Sequence, residues 1–368
     1  MMKVFCQGLD LSDAILKVIK ASSTRTTNPI LEGVKIIAED NTITLIATDG
    51  ELAIEKRIVA DVKVEGETVI PGKFFSEYVR KLATEQIELT LNEKNQLKIK
   101  YTDSEVFIQC MNVLEFPNIQ KIESKEYFEI KKTDLKDIIQ KTIFSVSLED
   151  TRPVLKGCLF EVSENKLTSV ALDGYRLALA EKPIKSTTAK VNLIIPGRSL
   201  NEMSKLLDES SETVKVYMQK NYVMLEQDST KITTRLLDGE FINYKQIIPN
   251  NFTSTVTVNR LQLEDALERA SILARVSNDN SVKFNIKDNT LNLQARSEIG
   301  NVDENLTIVL NGNDLSISFD ARFFKECLRV SSDEFLKLCF TTSINPCIVK
   351  PNEGNDYLFL ILPLKQLY

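Results

Sequence analysis

The sequence predicts an α+β fold made of three tandem copies of one domain. The segment 33–43 returns in related form at 157–167 and again at 281–291, so that consecutive copies begin 124 residues apart. A solenoid repeat has a period of about 20–50 residues, whereas this period is the length of a whole domain. In each copy, helical and alternating apolar patterns follow one another in the same order. We therefore divide the 368 residues into domains 1–125, 126–252 and 253–368.

The first element of each copy is predicted to be an amphipathic helix. In copy one, Leu11, Ile15 and Val18 recur at helical spacing and share one face. The corresponding apolar residues are Leu135, Ile138 and Ile139 in copy two, and Leu263, Ala266, Leu267 and Ala270 in copy three. Because such a face must be covered, we expect each helix to pack on a sheet.

Short β-rich runs follow the first helix, and turn residues separate them. The turn pairs are Asp40-Asn41, Glu164-Asn165 and Asp288-Asn289. Such pairs between alternating runs are typical of antiparallel hairpins. A second turn is Asp49-Gly50 in copy one and Asp173-Gly174 in copy two, whereas copy three has Ser297-Glu298 there. The sequence thus predicts two helices packed on antiparallel sheet in each copy.

A second helix is predicted to begin at Pro71-Gly72, Pro196-Gly197 and Asp320-Ala321, since proline favours the first helical turn. Each of these helices carries a basic, an acidic and a basic residue at i, i+4 and i+7, which places them on one face. The three stripes are Lys73, Glu77 and Arg80; Arg198, Glu202 and Lys205; and Arg322, Glu326 and Arg329. Local ion pairs on an exposed helix would explain one stripe, but recurrence in three diverged copies favours a shared function.

Further cations lie near the first helices. They are Lys17, Lys20 and Arg25 in copy one, and Lys132, Lys136 and Lys141 in copy two. If these helices face inward along an arc, a protein with net charge −6 acquires a mildly positive inner wall. Such a wall would hold a phosphate backbone without reading base sequence.

Composition excludes several classes of function. The chain has no histidine, which excludes Ser-His-Asp and Cys-His nucleophilic sites and His-ligated zinc. The sequence has no G-x-G-x-x-G segment, P-loop or calcium loop, so we expect no cofactor and no metal. Its six cysteines are scattered and fit reduced core thiols in the cytoplasm. No apolar run reaches 18 residues, and the N-terminus lacks a signal-peptide pattern.

The whole chain resembles the bacterial DNA sliding clamp, the beta subunit of DNA polymerase III. The segments that carry the resemblance are 48–50, 171–178, 195–198, 241–249 and 362–364. The resemblance implies three DNA-clamp domains in a non-catalytic polymerase subunit. Two chains would form a head-to-tail homodimer ring around double-stranded DNA, with helices lining the hole.

The resemblance also implies a cleft between copies two and three that binds short peptides of DNA polymerase III alpha subunit, the clamp-loader complex and other clamp-motif proteins. The matching positions are Leu155, Leu172, Gly174, Tyr175, Arg176, Leu177, Ile242, Ile247, Ile344, Pro346, Leu362, Pro363 and Leu364. Tyr175 stands where the family often has histidine, and Ile242 where it often has proline. For Leu155, Leu172, Leu177 and Ile247, ordinary core packing is the alternative interpretation.

For the dimer seam, the resemblance matches Ile272 and Leu273 to an apolar contact on domain three. Glu298, Asp303 and Glu304 match its acidic flank, and Val106 lies at the opposing position in copy one, with Lys98 and Lys100 nearby. Core packing is again the alternative for Ile272 and Leu273.

Two other functions stay open at this point. One is a monomeric peptide-binding scaffold of the same fold that does not encircle DNA. The other is an enzyme that works through carboxylates alone, although no pair of acidic residues stands out in the sequence. Surface acids in contact with solvent explain the carboxylates more simply.

Overall fold

The computed structural model describes residues 1–23, 26–276 and 280–364, and Arg25 lies outside them. Among these residues each copy has two α-helices. They are α1 Gly8–Val18, α2 Gly72–Val79, α3 Lys132–Ile143, α4 Gly197–Leu206, α5 Arg260–Ala274 and α6 Ala321–Val330. The even-numbered helices begin at the predicted positions, Gly72, Gly197 and Ala321.

Nine strands accompany the two helices in each described copy. Copy one contains β1 Met2–Gln7, β2 Gly33–Glu39, β3 Thr42–Thr48, β4 Leu52–Val59, β5 Asp61–Val64, β6 Gly66–Pro71, β7 Gln86–Leu91, β8 Gln96–Tyr101 and β9 Ser104–Gln109. Copy two contains β10 Tyr127–Lys131, β11 Gly157–Val162, β12 Lys166–Leu172, β13 Arg176–Pro183, β14 Ser186–Thr187, β15 Val191–Pro196, β16 Thr213–Gln219, β17 Tyr222–Gln227 and β18 Thr230–Arg235. Copy three contains β19 Ser254–Asn259, β20 Ser281–Lys287, β21 Thr290–Ser297, β22 Gly300–Thr307, β23 Val309–Gly312, β24 Leu315–Asp320, β25 Phe335–Phe340, β26 Cys347–Pro351 and β27 Tyr357–Ile361.

Contacts group the chain into two compact units, and copy two contributes to both. The first unit comprises residues 1–130 and 205–236, and the second comprises 131–204 and 237–368. The units differ from the sequence copies because strands of neighbouring copies pair with each other. The domain boundaries at 125/126 and 252/253 therefore stay predictions.

The first unit contains the sheet β5-β1-β7-β8-β9 and the strand order β10-β16-β17-β18-β4-β3-β2-β6. Pairing of β18 with β4 joins copy two to copy one, with Ile232 opposite Ile54. Helix α1 packs on α2 and β4. The predicted helix face of Leu11, Ile15 and Val18 is fully buried, as the amphipathic pattern requires.

The second unit contains a nine-stranded sheet, β15-β11-β12-β13-β27-β26-β25-β19-β23, and a four-stranded sheet, β22-β21-β20-β24. Antiparallel pairing of β13 with β27 joins copies two and three, with Leu177 opposite Leu360. Helix α3 packs on β12 and β13, and α5 packs on α6, β21 and β22. All strand pairs that position the cleft residues are antiparallel, as the sequence predicts.

The predicted turn and thiol features are present. Asp40-Asn41 and Asp288-Asn289 have positive φ at both residues, which matches the backbone twist that tight hairpins favour. All six cysteines are free and buried, and burial raises the pKa of the Cys158 thiol to about 12. No helix in the described part of the chain is both long and apolar enough to cross a bilayer.

Candidate functional site

The Asp-Gly turn between β12 and β13 positions the most prominent side chains of the predicted cleft. Asp173 Oδ1 accepts hydrogen bonds from the N–H groups of Tyr175 at 2.9 Å and Arg176 at 3.1 Å. Gly174 has φ +94°, a conformation that residues with a Cβ rarely adopt. The turn thereby exposes 59% of Tyr175 and starts β13 at Arg176.

Arg176 is a largely buried hub, with 10% of its side chain exposed. Its Nε donates to Asp173 Oδ2 at 3.0 Å, and its Nη2 donates to the carbonyl oxygen of Phe144 at 2.7 Å. Its Nη1 forms an ion pair with Glu326 of α6. The guanidinium carbon lies 4.7 Å from the ring centre of Phe323, close enough for a cation–π contact. One guanidinium thus ties the end of α3, the β12–β13 turn and α6 together.

The predicted leucines form the apolar interior beneath this hub. Leu155, Leu172 and Leu177 are at most 6% exposed and share one buried cluster, and Ile242 packs against it. The burial of these three leucines agrees with the alternative interpretation, in which they are ordinary core residues. Tyr244 belongs to the same cluster, where its hydroxyl donates to Glu161 at 2.6 Å. Burial and this hydrogen bond raise the pKa of the Tyr244 phenol.

Four predicted cleft residues instead present apolar surface to solvent. They are Tyr175, Ile247, Ile344 and Leu362. The Tyr175 ring stacks on Phe323 with centres 6.1 Å apart, and the Leu362 N–H donates to the Tyr175 carbonyl at 2.9 Å. The structure therefore brings Tyr175, Arg176 and Leu362 together.

The other predicted cleft residues lie elsewhere in the second unit than the group of Tyr175, Arg176 and Leu362, or only adjoin it. Gly174 is part of the turn, and the Leu364 N–H donates to the Ser318 carbonyl at 2.8 Å beside half-buried Pro363. Ile344 and Pro346 lie on the connection between β25 and β26. Among the described residues, no hydrogen bond, ion pair or ring contact joins this connection to Tyr175 or Arg176.

The sequence analysis assigns no part of the cleft to three residues that contact Arg176. Phe144 and Phe323 flank the guanidinium, and Glu326 pairs with it. Glu326 was predicted to belong to the basic stripe of α6. Since about 150 residues of sequence separate it from Arg176, no local pattern could have indicated the pair.

The second helices display their basic residues in all three copies. Lys73, Arg80, Arg198, Lys205, Arg322 and Arg329 are exposed. The acidic member of the stripe differs between copies: Glu77 is exposed, Glu202 is buried and Glu326 turns to Arg176. The acidic member of the stripe therefore does not reach the surface in α4, and in α6 it pairs with Arg176.

On α6, the exposed guanidinium groups have partners within the unit. Arg322 pairs with Asp320 at 2.6 Å, and Arg329 pairs with Glu268 of α5 at 3.0 Å. Both side chains remain about 60% exposed, so they can still reach an external anion.

The cations near the first helices divide into exposed and buried ones. Lys20 is exposed, and Lys17 and Lys136 are half-buried. The expectation that Lys132 and Lys141 add surface charge is wrong, since both are buried. Lys141 donates to Asp137 at 2.9 Å and lies over the Tyr357 ring, which compensates the cost of burying its charge.

The predicted seam residues lie at the surface of their units. Ile272 is 66% exposed, so it is not a core residue, and Leu273 is half-buried beside it. Glu298 is exposed, whereas Glu304 is held by Arg269 through two hydrogen bonds of 2.7 and 2.8 Å. The hydrogen bonds from Arg269 lower the pKa of Glu304. In the first unit, Val106 is half-buried on the edge strand β9.

Comparison with known proteins decides the family. Models of the DNA polymerase III beta subunit match in tandem: the N-terminal domain at residues 2–120, the central domain at 129–243 and the C-terminal domain at 245–365. The chain belongs to the DNA polymerase III beta subunit family. This sliding-clamp family is the one that the sequence resemblance indicated.

Relatives of this sliding clamp agree over nearly their full length. The beta sliding clamp of Halalkalibacterium halodurans is 33% identical over 362 residues, which is 95% of each chain. That of Staphylococcus epidermidis is 30% identical over 357 residues, covering 94% of this chain and 95% of its own. The crystal structure of the Bacillus subtilis DNA polymerase sliding clamp superimposes with a TM-score of 0.96 at 30% identity over 99% of each chain. The Thermotoga maritima beta subunit gives 0.93 at 30% identity over 100% of each chain.

Family membership establishes the general function of this sliding clamp. It is a replicative processivity factor and a non-catalytic subunit. The fold of three clamp domains, each with two helices on antiparallel sheet, agrees with that assignment.

Proposed function

We propose that two copies of this chain associate head to tail into a ring that encircles double-stranded DNA. The ring binds DNA without sequence specificity and slides along it. Its peptide cleft tethers DNA polymerase III alpha subunit, the clamp-loader complex and other proteins with a clamp-binding motif. This activity belongs in the cytoplasm, at the nucleoid.

The observation that carries the proposal is the repeated exposure of basic residues on the second helices. Arg198 and Lys205 are exposed on α4 while the intervening Glu202 is buried, so that only the basic members of this stripe reach solvent. On α6, Glu326 is engaged by Arg176. A net positive helix face attracts phosphates and, because it does not contact base edges, allows movement along the duplex.

The Arg176 hub supports the peptide-binding part of the proposal. It holds the turn of Tyr175 rigidly against α6, beside the exposed side chain of Leu362. Exposed apolar side chains on a rigid support bind a peptide at low entropic cost, because little of the site must be ordered on binding. Tyr175 and Leu362 are the proposed anchor contacts.

The exposed Ile272 supports the ring. A large apolar side chain at 66% exposure suits a contact with a second chain. Head-to-tail contacts are heterologous, and they form a closed ring when the rotation between subunits closes. We infer that the surface around Val106 is the opposing side.

Retention on circular DNA tests the proposal. The clamp, loaded by its cognate clamp loader on a nicked circular plasmid, should remain bound during gel filtration and be lost when the plasmid is linearised. Light scattering should give a dimer at micromolar concentration. Equal retention on circular and linear DNA, or a monomer at that concentration, would contradict the ring and favour the monomeric peptide-binding scaffold.

Charge reversal separates DNA loading from peptide binding. The variant Arg198→Glu, Lys205→Glu, Arg322→Glu, Arg329→Glu should lose DNA retention while keeping its affinity for a clamp-motif peptide. A matched variant reverses four exposed lysines away from these helices, Lys63, Lys94, Lys166 and Lys190. Loss of retention in both variants to the same degree would show that net charge, rather than the helix faces, is responsible.

A further inference from the structure

Strand β27 has two different faces. Leu358 and Leu360 belong to or pack against the buried leucine cluster of the proposed cleft. Tyr357 and Phe359 alternate with them along the strand, so their side chains point to the opposite face. Both rings are buried, with 2% of Tyr357 and none of Phe359 exposed. One strand therefore carries the apolar interior of the cleft on one side and an aromatic pair on the other.

The neighbouring strand β13 makes room for the two rings. Arg176, Ala178 and Ala180 alternate along β13, where Ala178 lies opposite Phe359 and Ala180 lies opposite Tyr357. Opposed residues of antiparallel strands point to the same face, so the rings share a sheet face with the hub arginine. Helix α3 packs on β13. Because the two alanines are small, the rings can reach the end of this helix.

Ring contacts connect Phe359 to Arg176. The Phe359 ring lies edge to face with the Phe144 ring, their centres 5.5 Å apart, and the centre of the Tyr357 ring lies 5.0 Å away on its other side. The guanidinium carbon of Arg176 lies 5.4 Å from the centre of the Phe144 ring. The carbonyl of Phe144 accepts the Arg176 Nη2–H at 2.7 Å. Phe144, Phe359 and Tyr357 thus form an aromatic stack that adjoins the hub.

The far end of the aromatic stack is held by charged groups. Lys141 Nζ lies 4.7 Å from the centre of the Tyr357 ring and pairs with Asp137 at 2.9 Å. The Tyr357 hydroxyl donates to Asp333. Lys141 is in the last turn of α3, and Phe144 is the residue that caps the C-terminus of this helix. The two rings of β27 therefore hold the end of α3 at two points.

The corresponding junction of the first unit is built without rings. Positions 176, 178 and 180 correspond, 124 residues earlier, to Leu52, Ile54 and Lys56. There β4 pairs with β18, which places Ile232 opposite Ile54 and Thr230 opposite Lys56. Strands of neighbouring copies thus pair in the same way without aromatic residues. The rings accompany the junction that has the hub arginine, which indicates a role connected with that arginine rather than with strand pairing.

We infer that Phe359 is a positioning residue for the peptide cleft: through Phe144 it fixes the carbonyl and the ring that orient the Arg176 guanidinium. The inference rests on the proposed peptide-binding function of this cleft. Arg176 in turn holds the turn of Tyr175, so the order of the peptide-binding surface depends on a ring in the core. Tyr357 completes the aromatic stack and fixes the end of α3.

A double-mutant cycle with the full chain tests the inference. The probe is a fluorescein-labelled clamp-motif peptide from the cognate DNA polymerase III alpha subunit, titrated by anisotropy. Phe359→Leu keeps an apolar side chain but removes the ring, so it should weaken binding by about fivefold. In an Arg176→Ala background the same substitution should change the affinity by less than about twofold, because a residue that acts through the guanidinium has no effect once this group is absent.

Three further variants control for loss of stability. Phe340→Leu removes a fully buried ring of β25, in the same sheet, that contacts Phe319. It should lower the urea midpoint as Phe359→Leu does but leave the peptide affinity unchanged. Phe144→Leu, at a half-buried position, guards against misfolding of the Phe359 variant and should also weaken binding by about fivefold. Tyr357→Phe keeps every ring of the aromatic stack and should retain full affinity.

The outcomes separate this inference from the proposed function of the cleft. It is overturned if Phe359→Leu and Phe340→Leu have the same peptide affinity, or if Phe144→Leu binds as tightly as the parent chain. Persistence of the full Phe359→Leu effect in the Arg176→Ala background would also overturn it, because the ring would then act independently of the hub. If Arg176→Ala itself binds like the parent chain, the proposed cleft function fails and the inference fails with it.

Discussion

At the scale of single residues, Arg176 joins three segments of the proposed cleft. Its guanidinium contacts Asp173, the Phe144 carbonyl and Glu326, and it lies against the Phe323 ring. A lysine could not reproduce this arrangement, because its ammonium group lacks the planar set of donors. Removing the guanidinium also leaves Glu326 without its partner.

We predict that Arg176→Ala lowers the affinity for a clamp-motif peptide by about tenfold or more and destabilises the chain by about 2 kcal/mol. The reason is loss of the rigid support for Tyr175 together with loss of several charge-assisted hydrogen bonds. Peptide titration by anisotropy and urea unfolding measure the two effects. Arg152→Ala removes an exposed arginine near Leu155 and serves as the control. Equal peptide affinity in the two variants would contradict the role of the hub.

At the scale of secondary structure elements, α6 contacts both the Arg176 hub and helix α5. The Asp320 side chain caps its N-terminus by accepting the Arg322 N–H at 2.9 Å. Its buried face carries Phe324 and Leu328, and Glu326 points to the Arg176 hub. Arg329 and buried Lys325 both reach Glu268 of α5, at 3.0 and 2.5 Å. This carboxylate therefore fixes α6 relative to α5.

The ion pairs of Glu268 on α5 with Lys325 and Arg329 on α6 predict that the stability of the fold depends on pH. The hydrogen bond from Lys325 holds the pKa of Glu268 below its ordinary value. A carboxyl whose pKa is lower in the folded state stabilises the fold above its unfolded pKa, and this contribution is lost as pH falls through the folded pKa. The contribution of Glu268 should therefore be complete at pH 7 and decline below about pH 5.

Glu268→Gln tests this contribution. We expect the variant to be less stable by about 1 kcal/mol at pH 7, a value kept small by the solvent exposure of Glu268, and to lose less stability than the parent chain below pH 5. Urea midpoints measured from pH 7 to pH 3 supply the comparison. Glu353→Gln, on an exposed turn, should follow the parent curve. If the Glu268 variant also follows it, the carboxylate does not stabilise the pair of helices.

At the scale of the whole molecule, the three copies supply repeated helices and sheets from which we propose that the ring is built. Each copy contributes two helices and nine strands in the described chain, and strands of neighbouring copies pair into shared sheets. We propose the edge strand β9 of copy one and the exposed end of α5 in copy three as the surfaces that contact a second chain. They belong to the first and the last copy in the sequence, which suits the proposed head-to-tail contact.

We predict that Ile272→Asp weakens the dimer at least about tenfold, since it places a charge where an apolar contact would be buried. Light scattering across a dilution series measures the change. Val59→Asp alters a more exposed apolar residue, 81% exposed, away from the proposed seam and should leave the dimer intact. A dimer that is equally stable in both variants would place the interface elsewhere.

The sequence could predict those features of the fold that adjacent residues encode. The starts of α2, α4 and α6, the buried helix faces and the Asp-Gly turns are confirmed, because capping, helical periodicity and positive-φ turns depend on a few neighbouring residues. The cleft residues came from family resemblance, and their roles stay predictions. The sequence could not separate buried from exposed members among them, because burial depends on segments far away in the chain.

By itself, then, the sequence determined the three-copy architecture, the order of elements and the family. Only the tertiary structure decided which charges stay at the surface: Glu202 and Lys141 are buried, and Glu326 pairs with Arg176. The physical reason is that hydrogen bonding and desolvation depend on which groups meet in space, whereas periodicity and capping act between residues close in the chain.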